Sequence, residues 1–141
     1  MTITAIILSD INKIESIGKK CLPIYYSSFD ILFLLYNKNY LLFKINEGTE
    51  IVGFIIAQQK YTSIEEELQQ SESIINTERS LDCERYHIMS IGVLSQYRRK
   101  GYGSQLIQHL QKEIYPYKTS LYVLTNNTAA ISLYEKHNFT K

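Results

Sequence analysis

One stretch narrows the possible folds more than any other: Met89-Ser-Ile-Gly-Val-Leu-Ser-Gln-Tyr-Arg-Arg-Lys-Gly-Tyr-Gly-Ser-Gln-Leu-Ile107. An apolar run closes at Leu94, a basic loop follows, and Gly101 and Gly103 open a helical pattern carrying Leu106, Ile107, Leu110 and Ile114. The first backbone N–H groups of such a helix have no internal partner, and the helix dipole favours negative charge there. A strand feeding a glycine turn at a helix N-terminus is therefore a phosphate site. Gly101 and Gly103 let the backbone approach an anion with no Cβ in the way. Arg98 and Arg99 offer paired donors to it and Lys100 a point charge. The loop predicts a ligand that carries a pyrophosphate.

Composition removes several other classes of partner. At 141 residues the chain is expected to form a single domain, 1–141, with one core. A net charge of +1 supplies no general field for nucleic acid or anionic membrane, so neither is expected as a partner. The two cysteines, Cys21 and Cys83, lack paired ligand spacing and read as reduced packing thiols; no metal is expected. The run Ile3 to Leu8 is too short for a signal h-region and meets Asp10 at once. No apolar stretch approaches bilayer length. A soluble, cytoplasmic domain is the expectation.

Thr2 to Leu8 is β-branched and apolar and predicts a strand. Ser9 or Asp10 caps a helix over Ile11 to Cys21, with Ile14, Ile17, Cys21 and Gly18 as its inward stripe, and Leu22-Pro23 ends it. Ser28 starts a short helix, Phe29 to Tyr36, apolar on most sides and so expected to be buried. Tyr40 to Ile45 and Ile51 to Lys60 flank a glycine-containing turn and predict an antiparallel hairpin. The segment from Tyr61 to Asp82 is polar and acidic: a solvated loop, or in a sharper reading an acidic lip for a cationic substrate. Cys83 to Leu94 is the next strand; the glycine loop and a helix to about Tyr115 follow. Pro116 breaks that helix, Ser120 to Thr125 is another strand, and Asn126-Asn127-Thr128 caps a last helix, Ala129 to His137. Phe139 is placed at the start of a further strand. A hairpin followed by two βα units implies an α/β (α+β) mixed sheet with helices on both faces.

Arg98-x-x-Gly101-x-Gly103 after a strand, with Asn127 and Tyr134 downstream, resembles the GNAT superfamily of acetyl-coenzyme A-dependent N-acetyltransferases. The likeness runs over nearly the whole chain. Leu22-Pro-Ile-Tyr-Tyr26, Ile51-Val-Gly-Phe-Ile55, Ile88-Met-Ser-Ile-Gly-Val93 and Leu121-Tyr-Val-Leu-Thr-Asn-Asn127 are similar to NatF-type protein N-terminal acetyltransferases, with the NatE catalytic subunit next. The resemblance implies a central, mostly antiparallel twisted sheet with a V-shaped cleft between strands 4 and 5. It implies acetyl-coenzyme A as co-substrate. Ile91, Gly92 and Val93 would meet the pantetheine arm, Arg98, Arg99, Lys100, Gly101, Tyr102 and Gly103 the pyrophosphate, and Asn127 the cofactor arm. Tyr134 is similar to the tyrosine beside the coenzyme A sulfur, and Pro23, Ile24 and Tyr26 to part of the groove for a substrate N-terminus.

Two departures from the family pattern stand out. NatF-type enzymes carry a tyrosine on the strand before the glycine loop and a histidine on the next; here the matching positions are His87 and Tyr122, so the base pair is exchanged. His, ordinarily near pKa ~6.5, is a better base at neutrality than Tyr at ~10. His109 and His137 have no partner in the motif and are expected on helix surfaces. The family also continues past the last helix with a β-hairpin, whereas this sequence stops at Lys141, so the domain is expected to be C-terminally short. The implied function is acetylation of the α-amino group of protein N-termini, those retaining methionine foremost. The rivals are a lysine or small-amine acetyltransferase and an inactive coenzyme A-binding module that acts through a partner.

Overall fold

The computed structural model describes residues 1–61 and 83–140; the acidic stretch 62–82, and with it the suggested lip, lies outside the described residues. Five strands form one sheet in the order β1-β2-β3-β4-β5. They are β1 (Thr2–Ala5), β2 (Tyr40–Glu47), β3 (Glu50–Tyr61), β4 (Cys83–Val93) and β5 (Lys118–Leu121). The first four run antiparallel to their neighbours and β5 runs parallel to β4. The mixed sheet expected from the hairpin and the two βα units is thus the observed one.

Helices α1 (Ile11–Cys21) and α2 (Ser28–Leu35) cover one face, and α3 (Tyr102–Ile114) and α4 (Thr128–Lys136) the other. On α1 the spacing of Ile11, Ile14, Ile17 and Gly18 puts all four on one buried stripe, packed with Leu42, Phe54 and Ile56. On α3 the predicted stripe Leu106, Ile107, Leu110 and Ile114 is buried with Tyr102 against Ile55, Ala57, Tyr86 and Ile88. Each such aliphatic side chain is worth about 1.5–3 kcal/mol when fully buried.

Several expectations are corrected. The first strand ends at Ala5, because the chain from Leu8 to Asp10 winds into a 3₁₀ turn. Asp10 does not cap α1 with its side chain; its carboxylate accepts from the Ile7 N–H at 2.9 Å and from Lys44 Nζ at 2.6 Å. Ser27, not Ser28, caps α2, accepting from the Asp30 N–H. That helix buries only Ile31 and Leu34, while Phe29, Phe33 and Tyr36 stand exposed, since one face alone meets the sheet. The last strand is Lys118–Leu121 rather than Ser120 to Thr125. Phe139 begins no strand: Asn138 takes φ +70°, the Phe139 N–H bonds the Tyr134 carbonyl, and the two rings pack 5.8 Å apart. This is a helix C-terminus closed by a left-handed residue.

One irregularity positions the site. Ile56 pairs with Ser90 but Ala57 pairs with Ile88, so Met89 is an extra residue on β4, a β-bulge. The bulge reverses the alternation of faces. Tyr86 and Ile88 point to the α3 side before it, and Ile91 and Val93 after it. His87, paired with Gln58, lies on the opposite, α1 side together with Gly92.

Candidate active site

β4 and β5 pair only from Arg85–Lys118 to Ile88–Leu121. Beyond that pair β4 continues to Val93 with no strand beside it on that edge among the described residues, and the two strands part. The cleft expected between strands 4 and 5 is this parting, and the residues around it come from the basic loop, β4, β5, α4 and the connection between α1 and α2.

The basic loop closes one end. Arg99 at φ +65° and Gly101 at φ +80° both take the left-handed conformation. The first bond of α3 is from the Gln105 N–H to the Gly101 carbonyl, so the amides just after Gly101 lack helical acceptors. A Cβ at Gly101 would meet nothing within 4 Å, so the glycine is needed for its φ and the space above it is open. Arg98 Nε donates to the Val93 carbonyl at 3.0 Å, and the Cys21 thiol lies 3.3 Å from the same oxygen. Lys100 lies 3.4 Å from Glu47 and 5.3 Å from the Tyr97 ring centroid, and the Tyr97 hydroxyl donates to Glu50 at 3.2 Å. The loop is fastened to the tip of the β2–β3 hairpin. Tyr102 is buried beneath it; that burial, and then Glu47, push its phenol pKa up. The geometry fits a pyrophosphate: oriented amides, unobstructed glycine and three cations on one short loop.

His87 sits at the paired root of the cleft, opposite Ser120 in register, and is 7% exposed. Its Nδ1 lies 2.9 Å from Ser120 Oγ, which also accepts from Arg85 Nε at 3.0 Å. The Tyr122 ring sits 4.8 Å from the imidazole at 56°. Burial first, then the charges of Lys60 and Arg85, hold the His87 pKa below the ordinary histidine value. A neutral imidazole at physiological pH is a competent proton acceptor. Tyr122 lies one residue past β5 and is 89% exposed, so the two members of the exchanged pair do meet, but in opposite environments.

Tyr134 approaches from the other side of the sheet. It packs against the α3 core with Leu133 and Phe139, and burial raises its pKa, which keeps the phenol protonated. Together with Ser120, Leu121 and Tyr122 it lines a groove of about 760 Å³ between β5 and α4. Asn127 caps α4, its Oδ1 accepting from the Ala130 N–H at 3.2 Å, which leaves Nδ2 as its outward-acting group. His137 also lines the groove and is buried, contrary to the expectation of a surface position, because the turn through Asn138 folds over it; burial, then Lys136, lowers its pKa. His109 is half-buried, edge-on to Phe43 at 4.7 Å.

Across the cleft, the connection between α1 and α2 is pinned by the Ser28 N–H and hydroxyl, which bond Glu15 and Asn12 of α1. Pro23 and Ile24 stand exposed on it, while Tyr26 tucks against the α1–α2 core. Burial, then Tyr40 and Asp30, raise the Tyr26 pKa. Sequence reasoning missed Arg85, Ser120 and the Met89 bulge. The bulge had a signal: the apolar positions Tyr86 and Ile88 are even, Ile91 and Val93 odd, and a parity switch inside one strand requires an extra residue. Ser120 had none, because a serine on a short strand is indistinguishable from any other.

The family model described as the acetyltransferase (GNAT) family matches residues 11–139. N-alpha-acetyltransferase 60 of Xenopus tropicalis is 28% identical over 137 residues, an alignment covering 92% of this chain and 55% of that protein; the chain thus spans about half the length of that curated relative. An N-alpha-acetyltransferase of Sulfurisphaera tokodaii is 29% identical over 136 residues, covering 94% of this chain and 75% of the archaeal one. The solved structure of Arabidopsis thaliana NAA60 in complex with acetyl-CoA superposes with a TM-score of 0.76 over 99% of this chain and 84% of that one, at 22% identity, a likeness of fold. With the family model matching nearly the full length, this chain belongs to the acetyltransferase (GNAT) family.

Proposed function

We propose that this chain transfers an acetyl group from acetyl-coenzyme A to the α-amino group of protein N-termini, those that retain methionine foremost. The observation that carries the proposal is the parting of β4 and β5 beyond Ile88 and Leu121, which leaves the β4 backbone open between the anion-binding loop and His87. The names of the frog and archaeal relatives support the choice of acceptor.

Acetyl-coenzyme A supplies the activated acyl group when bound. The loop from Arg98 to Gly103, with Tyr102, holds the pyrophosphate through backbone amides and cations. Ile91, Gly92 and the N–H of Val93 pair with the pantetheine arm; the Val93 carbonyl is already engaged by Arg98 and Cys21. Asn127 Nδ2 reaches the same arm. A backbone N–H on this length of β4 polarises the carbonyl under attack. His87 takes the ammonium proton of the acceptor, directly or through a water held with Tyr122. Tyr134, kept protonated by burial, gives a proton to the departing thiolate. Pro23, Ile24 and Tyr26 line the groove for the first residues of the substrate, and holding both reactants in one cleft supplies proximity.

The test is incubation with acetyl-coenzyme A and peptides beginning Met-Lys or Met-Ala, beside a peptide with a blocked N-terminus and a free lysine. Acetylation of the first two at the α-amine is expected. Modification of lysine side chains or polyamines alone overturns the choice of acceptor, and coenzyme A binding without turnover on any amine overturns the enzymatic reading.

A further inference from the structure

We propose that Ser120 is a positioning residue that fixes the tautomer of His87, taking a hydrogen bond from Nδ1 and leaving the Nε2 lone pair toward the cleft. The inference rests on the reading of His87 as the base. Ser120 Oγ lies 2.9 Å from His87 Nδ1 and 3.0 Å from Arg85 Nε, so a single oxygen joins a cation to the imidazole. Arginine can only donate, which commits one lone pair of Oγ to Arg85. The second lone pair can accept from Nδ1–H, with the hydroxyl hydrogen turned to the open groove that Ser120 lines.

The alternative, in which the serine hydroxyl donates to Nδ1, puts the imidazole proton on Nε2, where no base could act. Among the described residues Nε2 has no hydrogen-bond partner, and it is not among the polar atoms sealed from solvent without one, so it is the nitrogen open to a substrate amine or a water. The charged and titratable groups that face the ring are Lys60 from β3, Arg85 from β4 itself and Tyr122 just past β5. Gln58, the β3 register partner of His87, is bonded away to the Tyr40 hydroxyl at 3.1 Å. Ser120 is therefore the one neighbour among the described residues that bonds the ring. When Nε2 takes a proton, Nδ1 stays protonated and the Ser120 contact is unchanged, so proton transfer needs no rearrangement of the shell.

Two measurements test this. The ¹⁵N spectrum of ring-labelled protein, recorded without substrate at a pH where His87 is neutral, is expected to show a protonated Nδ1 and an unprotonated Nε2. Ser120→Ala is expected to mix or reverse the tautomers and lower kcat/KM by about 10²-fold, the low end of what general-base catalysis contributes, while coenzyme A affinity stays within about twofold. Ser120→Thr, which keeps the hydroxyl, is expected to restore both signatures. A wild-type spectrum with the proton on Nε2, or a Ser120→Ala protein with unchanged spectrum and turnover, overturns the proposal. Undiminished turnover in His87→Phe instead overturns the base reading, and the two failures are separable because the spectrum needs no catalysis.

Discussion

The imidazole of His87 and the ring of Tyr122 lie 4.8 Å apart, yet one residue is 7% exposed and the other 89%. Proximity makes them a pair; burial makes them unequal. His87→Phe is expected to cut turnover by about 10²-fold or more, whereas Tyr122→Phe costs about tenfold at most. Thiol release from acetyl-coenzyme A measures both, and calorimetric titration should find cofactor affinity nearly unchanged in each.

The pH profile follows from the direction of the His87 shift. Its folded pKa lies below the ordinary 6.5, so the acid limb of kcat/KM is expected below that pH and should vanish in His87→Phe. Stability moves the same way. His87 and His137 resist protonation in the folded state, so the unfolded chain binds more protons as pH falls below 6.5. Their contribution is whole above 6.5 and is lost progressively toward the folded values. Thermal melts at pH 7.5 and 5.0 should show a lower Tm at acid pH, by less in a variant lacking both histidines.

Gly101 and Gly103 differ in what they require. Gly101 holds φ +80°, so Gly101→Ala should cost about 1–2 kcal/mol of stability through backbone strain, although its Cβ meets nothing. At Gly103 a Cβ would make an ordinary 3.5 Å contact with Leu133, so Gly103→Ala should fold as well as the parent. A loss of coenzyme A affinity in Gly103→Ala without loss of stability is the expected sign that phosphate approaches there. Urea melts and binding titrations on the two variants separate strain from occlusion.

Gly53 of β3 is the register partner of Val93 on β4. A Cβ there would lie 2.8 Å from the Gly92 carbonyl oxygen and 3.1 Å from side chains of Ile45 and Val93. Backbone cannot step aside as a side-chain tip can, so Gly53→Ala should destabilise by about 1–3 kcal/mol and widen the cleft wall. Urea unfolding followed by circular dichroism reads the first effect and the acetyl-coenzyme A KM the second.

Asp10 and Lys44 form an ion pair at 2.6 Å with side chains only 10% and 14% exposed. Removing one partner strands the other, so Asp10→Ala should cost about 3–5 kcal/mol, whereas replacing both with apolar residues of like size should cost far less. A double-mutant cycle in urea gives the coupling.

The elements were legible where local pattern and tertiary environment agree. The stripes of α1 and α3 and the hairpin around Gly48 follow from spacing, because the side chains that repeat there are the ones buried. The short helix α2 was misread as buried because apolar content does not say how many faces a neighbour covers; Phe29, Phe33 and Tyr36 remain in solvent. Phe139 was misread because a left-handed Asn138 turns it back onto Tyr134, a choice made by packing at the helix end.

By itself the sequence determined the strand–loop–helix unit around Arg98 to Gly103 and therefore the family, since oriented amides and glycine conformations are local properties of consecutive residues. Only the tertiary structure decided what surrounds His87. Arg85, Ser120 and Tyr122 reach it from two strands whose register depends on one bulged residue, Met89, and on where β5 stops. A one-residue slip in either strand moves every side chain to the other face, so what surrounds His87 is a property of pairing across the sheet.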